Sequence, residues 1–365
     1  MCQYTLKREK MNKKTMTIAL VTAVVLSSFV SISLISDNSD AETITVTGVW
    51  GDVTVDAPVG KIAIFGTAFA ITTVELGFGD RIVMIDTYSL DIVKDYGFEK
   101  GYSVTTDTDE IGQKLANGEG GFDKDRDVVV LYGYSYQKTQ AEKIRDVYGI
   151  KVIALYPQTY DGAINAVSVI GSLFGISEAD NTAAKSMESA KTYYIDELAS
   201  NGIDAESERV PAVYVSYSAG NFAAGNDSSI TAAMIKLAGG KNAASDSSKT
   251  GTSYSINAGD VELMGAKVVF LDGNYPDSIA KFRSDMLISD DTKVYQLGKT
   301  MNTYASTISD GIAFIASAMY PDVFGELDPV DEGDGIDSMW YVVAAFAALI
   351  LVAVIVIVIR RSKTV

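Results

Sequence analysis

Twice along this chain, short apolar runs alternate with amphipathic stretches, and residues 178–200, which contain neither glycine nor proline, divide the two halves. The runs fall at 61–64, 81–85, 127–131 and 152–155 in the first half and at 212–215, 268–271 and 293–297 in the second. Apolar runs this short, with no polar residue at every second position, suit strands covered on both faces. The stretches at 70–76, 137–147, 229–237, 276–282 and 307–319 carry helical spacing. Strands alternating with helices predict an α/β fold with mainly parallel sheets. In the divider, Ala179, Ala183, Met187, Ala190, Tyr194 and Leu198 recur every three or four residues. They predict one helix about 35 Å long, N-capped by Ser177 with Asp180 as partner acid and stopped at Asn201-Gly202. A second helix precedes it at 161–174, with Ile164, Val167, Ile170 and Phe174 near one face and Gly175 at its end. The chain therefore reads as two α/β halves held by a stiff strut, which limits hinge motion.

The ends confine where those halves fold. Residues 16–35 form an apolar run behind Lys10, Lys13 and Lys14, the pattern of a secretory signal or signal anchor, with either Met1 or Met11 as start. Ser39-Asp40-Ala41 offers only a weak cleavage site, and Cys2 precedes the run, so it does not fit a lipoprotein anchor. Residues 339–359 are 21 residues without a charge, enough to cross a bilayer as a helix of about 32 Å. Trp340 and Tyr341 mark one edge, and Arg360, Arg361 and Lys363 follow the other, so the tail is expected to be cytoplasmic. The expected organisation is a basic start with signal or anchor (1–41), a first lobe (42–160), connecting helices (161–202), a second lobe (203–325), an acidic tether (326–337), a transmembrane helix (338–359) and a cytoplasmic tail (360–365). The body is thereby placed outside the cell membrane, in an extracellular or pseudoperiplasmic space.

Composition removes whole classes of chemistry. The formal charge is −17, and the basic ends leave about −24 on the stretch between them. Such a body repels phosphate backbones, so no nucleic-acid partner is expected. The chain has no histidine and one cysteine. That excludes Ser-His-Asp and Cys-His catalysis, histidine-ligated zinc or haem, and a disulfide framework. An enzyme such as a metal chelatase or a nitrogenase-like component is accordingly disfavoured, and no resident cofactor is expected. A surface adhesion or sensory ectodomain remains as an alternative, although the six-residue tail after Ile359 is too short for a signalling domain.

Several segments look familiar together. Residues 63–83 (AIFGTAFAITTVELGFGDRIV), with the turn Leu76-Gly77-Phe78-Gly79-Asp80-Arg81-Ile82, are followed by DVVVLYG at 127–133. Then come 210–216, Leu237-Ala238-Gly239-Gly240-Lys241-Asn242-Ala243, and AMYPDVF at 318–324. In this order the segments resemble the iron-complex and vitamin B12 class of ABC-transporter solute-binding proteins, over roughly residues 44–325. The resemblance implies two Rossmann-like lobes, one connecting helix, and a ligand such as an iron chelate, haem or a corrinoid held between the lobes. It also implies delivery to a permease driven by a separate ATPase. It further implies that each lobe docks through a surface carboxylate eight residues before its second strand, which falls on Glu119 in the first lobe and beside Asp260 and Glu262 in the second.

In open α/β sheets, ligands bind beyond the carboxyl ends of the strands. Those ends carry Phe65, Thr67 and Phe69 after the first run, then Tyr88, then Tyr132, Tyr134 and Tyr136, then Tyr156. In the second half they carry Tyr217, Asn221, Phe222 and Tyr275. Tyrosine offers a flat apolar face and a polar tip, which suits a large, partly polar ring system or a chelate. The same residues would equally serve to pack or cap strands. Asp86, Asp161, Asp227 and Asp272 lie in the same loops and could ligate a hard cation, although loop acids more often cap turns.

Overall fold

The computed structural model describes residues 42–98, 103–104, 107–203 and 208–327. The expected signal or anchor, most of the tether, the transmembrane helix and the tail lie outside these residues. Among the described residues no helix is long and apolar enough to cross a membrane.

The described residues open with a hairpin that lies outside the expected apolar runs. Strand β1 (Glu42–Gly48) pairs antiparallel with β2 (Gly51–Ala57). Its signal was present, since Ile44, Val46, Val53 and Val55 alternate with Thr and Asp on either side of Val49-Trp50. The first α/β sheet follows. It consists of β3 (Ile62–Phe65), helix α1 (Thr67–Glu75), β4 (Ile82–Ile85), α2 (Thr87–Val93), β5 (Ser103–Val104), α3 (Thr108–Ala116), β6 (Val128–Tyr132), α4 (Lys138–Tyr148) and β7 (Lys151–Leu155). The strand order is β5-β4-β3-β6-β7, with every pair parallel. Strands β3 and β4 are buried at every position, which is why they read as unbroken apolar runs. Helix starts are set by short polar side chains: the Asp86 carboxylate accepts from Ser89 N–H, and Asp107 accepts from the N–H groups of Asp109 and Glu110.

Two connecting helices come next, α5 (Tyr160–Leu173) and α6 (Thr182–Ser200). The second is shorter than expected. Ser177 donates to Asp180 at 2.5 Å in a separate turn, and the helix is capped instead by Asn181, whose side chain accepts from Ala184 N–H at 3.0 Å. Asn181 is buried, and its amide also reaches the Val167 carbonyl on α5 (3.2 Å), so tertiary packing chose the cap.

The second half contains β8 (Pro211–Ser218), β9 (Asn221–Gly225), α7 (Ile230–Leu237), β10 (Lys241–Asn242), β11 (Ser253–Ile256), α8 (Asp260–Leu263), β12 (Val268–Leu271), α9 (Ile279–Met286), β13 (Lys293–Gln296), α10 (Ile308–Met319) and α11 (Pro321–Phe324). Its strand order is β11-β9-β8-β12-β13, with β10 also pairing with β8. Strands β8, β12 and β13 are parallel, whereas β9 runs antiparallel to β8 and to β11. The connecting helix α5 packs on α1 of the first half, and α5 and α6 both pack on α7 of the second. The fold is thus mixed α/β with two sheets and a helical connection.

Candidate functional site

Both sheets reverse their strand order beside their first strand. In the first sheet the chain moves from β3 outward through β4 and β5, then returns to β6 on the other side. In the second, β9 and β12 flank β8. Such switch points leave a crevice outside the carboxyl ends of the strands. The two crevices face one another and form a cleft of about 660 Å³, within the usual range for small-molecule sites.

The wall from the first half is aromatic. Phe65 ends β3, and Thr67 opens α1 with its hydroxyl 3.3 Å from that of Ser89. Tyr132 ends β6, and its ring lies so close to Gly66 that a Cβ there would meet it at 2.9 Å. The Ala68 N–H, an otherwise open donor in the first turn of α1, donates to Tyr132 Oη at 3.0 Å. From Tyr132 a tyrosine series runs outward, to Tyr134 with centroids 5.2 Å apart and on to Tyr136, stacked at 5.4 Å. Tyr304 from the second half meets Tyr132 edge-on at 5.8 Å and hydrogen-bonds to Tyr134. Tyr88 and Tyr136 keep 57% and 77% of their surface exposed at the cleft. Both rings line the cleft, where a bound ligand would cover them.

The opposite wall is hydroxyl and amide. Ser216, Ser228, Ser229, Thr231, Asn274 and Asn302 line it, with Lys299 the one cation among the described lining residues. Tyr214 is buried on this side and accepts from Asn302 Nδ2 at 2.7 Å. Burial pushes the phenol pKa of Tyr132, Tyr304 and Tyr214 upward, and that of Tyr134 up to about 12. All four therefore remain protonated at neutral pH and offer O–H groups, not phenolates.

The cleft brings together six of the twelve expected ligand residues: Phe65, Thr67, Tyr88, Tyr132, Tyr134 and Tyr136. The other six lie elsewhere. Phe69 is 1% exposed and backs Tyr132 at 4.7 Å from within the core. Tyr156 stands edge-on behind Tyr134 at 5.1 Å. Tyr217, Phe222 and Tyr275 form an aromatic cluster with Phe282 inside the second half. Strand alternation explains this: Tyr214 and Ser216 face the cleft, so Tyr217 shares the opposite face with Val213 and Val215. Asn221 is exposed on the β8–β9 turn, its amide on the Ala219 carbonyl at 3.2 Å.

The loop acids are occupied as caps and ties. Asp86 accepts from the N–H and hydroxyl of Ser89 (2.9 and 2.7 Å), and Asp272 accepts from Asn274 N–H at 2.9 Å. Asp227 accepts from Asn242 at 2.9 Å, and Asp161 pairs with Lys191 at 2.5 Å. Among the described residues no group of three or more acids or cysteines could hold a metal ion. Of the expected docking carboxylates, Glu119 lies on a surface turn after α3. Asp260 accepts from Asn257 N–H (2.7 Å), and Glu262 accepts from Ser289 N–H (2.8 Å).

Residues missed by the sequence reading include Ser228, Ser229 and Thr231 at the start of α7, and Lys299, Asn302, Thr303 and Tyr304 in the loop after β13. The same strand-end rule applied to the run at 293–297 would have reached the second group.

No family model matches the chain, and no curated protein matches it in sequence. Solved structures do. Helicobacter pylori CeuE in a nickel–histidine complex matches at 18% identity with a TM-score of 0.59, covering 83% of this chain and 95% of that one. A periplasmic haem-binding protein from Pseudomonas aeruginosa matches at 15% and 0.56, covering 73% and 94%. A possible iron-binding, periplasmic solute-binding protein from Staphylococcus epidermidis matches at 14% and 0.52, covering 72% and 99%. The fold is that of a two-lobed solute-binding protein. Two of these neighbours are named as binding proteins, one for haem and one possibly for iron, and the two α/β halves are called lobes below.

Proposed function

We propose that this chain is the membrane-tethered, extracellular receptor of an ABC importer, which captures an iron chelate, haem or a corrinoid between its lobes and hands it to a permease served by a separate ATPase. The observation that carries this reading is the pair of switch-point crevices facing one another, one aromatic and the other hydroxylic. A ligand fitting it has an apolar, flat side for Tyr132, Tyr134 and Tyr136 and a polar rim for Ser229, Asn274 and Asn302. Because Asp86 and Asp272 already serve backbone and side-chain donors, a metal would arrive already wrapped in its own ligands. One lysine in the cleft favours a chelate or corrinoid of low net charge over a dianionic porphyrin.

The test is a thermal-shift screen of the full-length chain in detergent against a ferric hydroxamate chelate, cobalamin, haemin and free nickel. A true ligand at 100 times its Kd adds about 2.7 kcal/mol of stability. Tyr134→Ala should weaken that ligand at least tenfold, about 1.4 kcal/mol, without altering the unliganded melting temperature by more than a few degrees. Stabilisation by free nickel alone, or by none of the four, defeats the reading. Glu119, with Asp260 or Glu262, is the proposed permease contact; if Glu119→Lys leaves transport unchanged, that assignment fails.

A further inference from the structure

Behind the cleft, the second lobe reaches into the first. The chain leading from β13 into α10 buries Ala305 among apolar side chains of the first lobe. Polar contacts stitch the seam on either side. The Tyr96 hydroxyl donates to Thr300 Oγ1 at 3.2 Å, the hydroxyls of Tyr160 and Ser309 lie 2.8 Å apart, and Ser306 donates to the Glu75 carboxylate at the end of α1.

Asp310 lies one turn beyond Ser306 on α10, partly buried, and its side chain makes no hydrogen bond among the described residues. The titratable groups facing it are Glu75 from α1, Tyr96 from the turn after α2, Tyr160 from α5 and Tyr194 from α6, with Asp95 adding negative charge beside Tyr96. No lysine or arginine pairs with Glu75 or Asp310 among the described residues. Glu75 is exposed along much of its length, but its carboxylate is held at the seam by Ser306. Two carboxylates therefore oppose each other, one from each lobe, without a counter-charge.

The geometry points to a one-proton latch: the hydroxyl contacts hold the seam while either Glu75 or Asp310 is protonated, and the two carboxylates repel across it when both are ionised, so that the arrangement of the lobes answers to acidity. Burial, with the charge of Glu75, pushes Asp310 up to about 7, and burial also raises Glu75. Below neutrality the seam is held; above it, the seam loosens. Tyr304, two residues before Ser306, carries the change to Tyr132 and Tyr134 in the cleft. That consequence rests on the cleft being a binding site; the latch itself does not.

The experiment uses the full chain in detergent, without ligand, in a Cys2→Ser background. Spin labels are placed at Lys124→Cys in the first lobe and Asp291→Cys in the second, both exposed positions. Double electron–electron resonance should show a narrow interlobe distance at pH 5.5 that lengthens or broadens at pH 8.5. Asp310→Asn should keep the narrow distribution at both pH values, and Glu75→Gln should do the same and stands in if the first variant does not fold. A distribution that ignores pH in the parent, or one that still shifts in the folded variants, overturns the latch. Since no ligand enters the measurement, a cleft that binds none of the screened compounds leaves this result untouched, and the reverse also holds.

Discussion

Asp127 offers a perturbation whose size follows from counting orphaned donors. It opens β6 at 2% exposure, and its Oδ1 accepts from the N–H groups of Gly60 and Lys61, each at 2.8 Å. Its Oδ2 accepts from Asp123 N–H, also at 2.8 Å. One carboxylate thus ties the entry to β3, the entry to β6 and the turn before it. Asp127→Ala strands three donors. Bonds to a charged acceptor contribute about 1.5–3 kcal/mol each, but these donors lie near the surface and regain some water, so a total loss of about 3–4 kcal/mol is expected. The roughly 280 described residues carry an unfolding entropy of about 0.6 kcal/mol per kelvin, so the melting temperature should fall by about 6 °C. Asp127→Asn keeps the acceptor facing Gly60 and Lys61 but turns an amide toward Asp123 N–H; its loss should be about a third of that. Differential scanning calorimetry of the full chain at neutral pH measures both. Ligand affinity should not change, because Asp127 and Tyr132 stand about 16 Å apart at opposite ends of the strand. An alanine variant melting within 2 °C of the parent, or an asparagine variant equally damaged, would refute the donor count.

Other expectations concern single groups. The ordinary value for an aspartate is 3.8, and Asp310 in the folded chain lies near 7. The folded state therefore binds the extra proton between those limits, stability falls as pH rises through that window, and it levels off above it. Asp310→Asn should match the parent near pH 4 and exceed it above pH 7, by at most about 4 kcal/mol, as read from urea unfolding at both pH values. Tyr275 Oη is buried without a partner, so Tyr275→Phe should stabilise the chain by about 1 kcal/mol in the same unfolding series. At Gly311 an added Cβ would sit 2.1 Å from the Met301 carbonyl oxygen. That oxygen belongs to backbone, so Gly311→Ala should cost about 3 kcal/mol, visible as a lowered melting temperature.

The α/β character was legible because buried parallel strands announce themselves as unbroken apolar runs, as 128–131 and 268–271 do. So were the helix at 308–319, from its spacing, and the strand-end loops as the place to look for a site. The hairpin of β1 and β2 and the antiparallel strands β9 and β11 were less so. They are short, half-exposed and rich in Thr, Ser and Ala, and their partners are set by pairing. Tyr217 shows the limit within the site. Its position near a strand end was visible, yet a one-residue difference in the pleat packs it against the core of the second lobe while Ser216 meets the cleft.

From residue order alone came the two α/β halves, the helical divider and the richness of tyrosine at strand ends, because periodicity and composition are local properties of the chain. Which rings meet across the cleft, that Asn181 and not Ser177 caps the long helix, and that Glu75 and Asp310 confront one another 235 positions apart were decided only by tertiary packing. Those pairings depend on how two sheets are set against each other, and no local pattern encodes the distance between residues on different lobes.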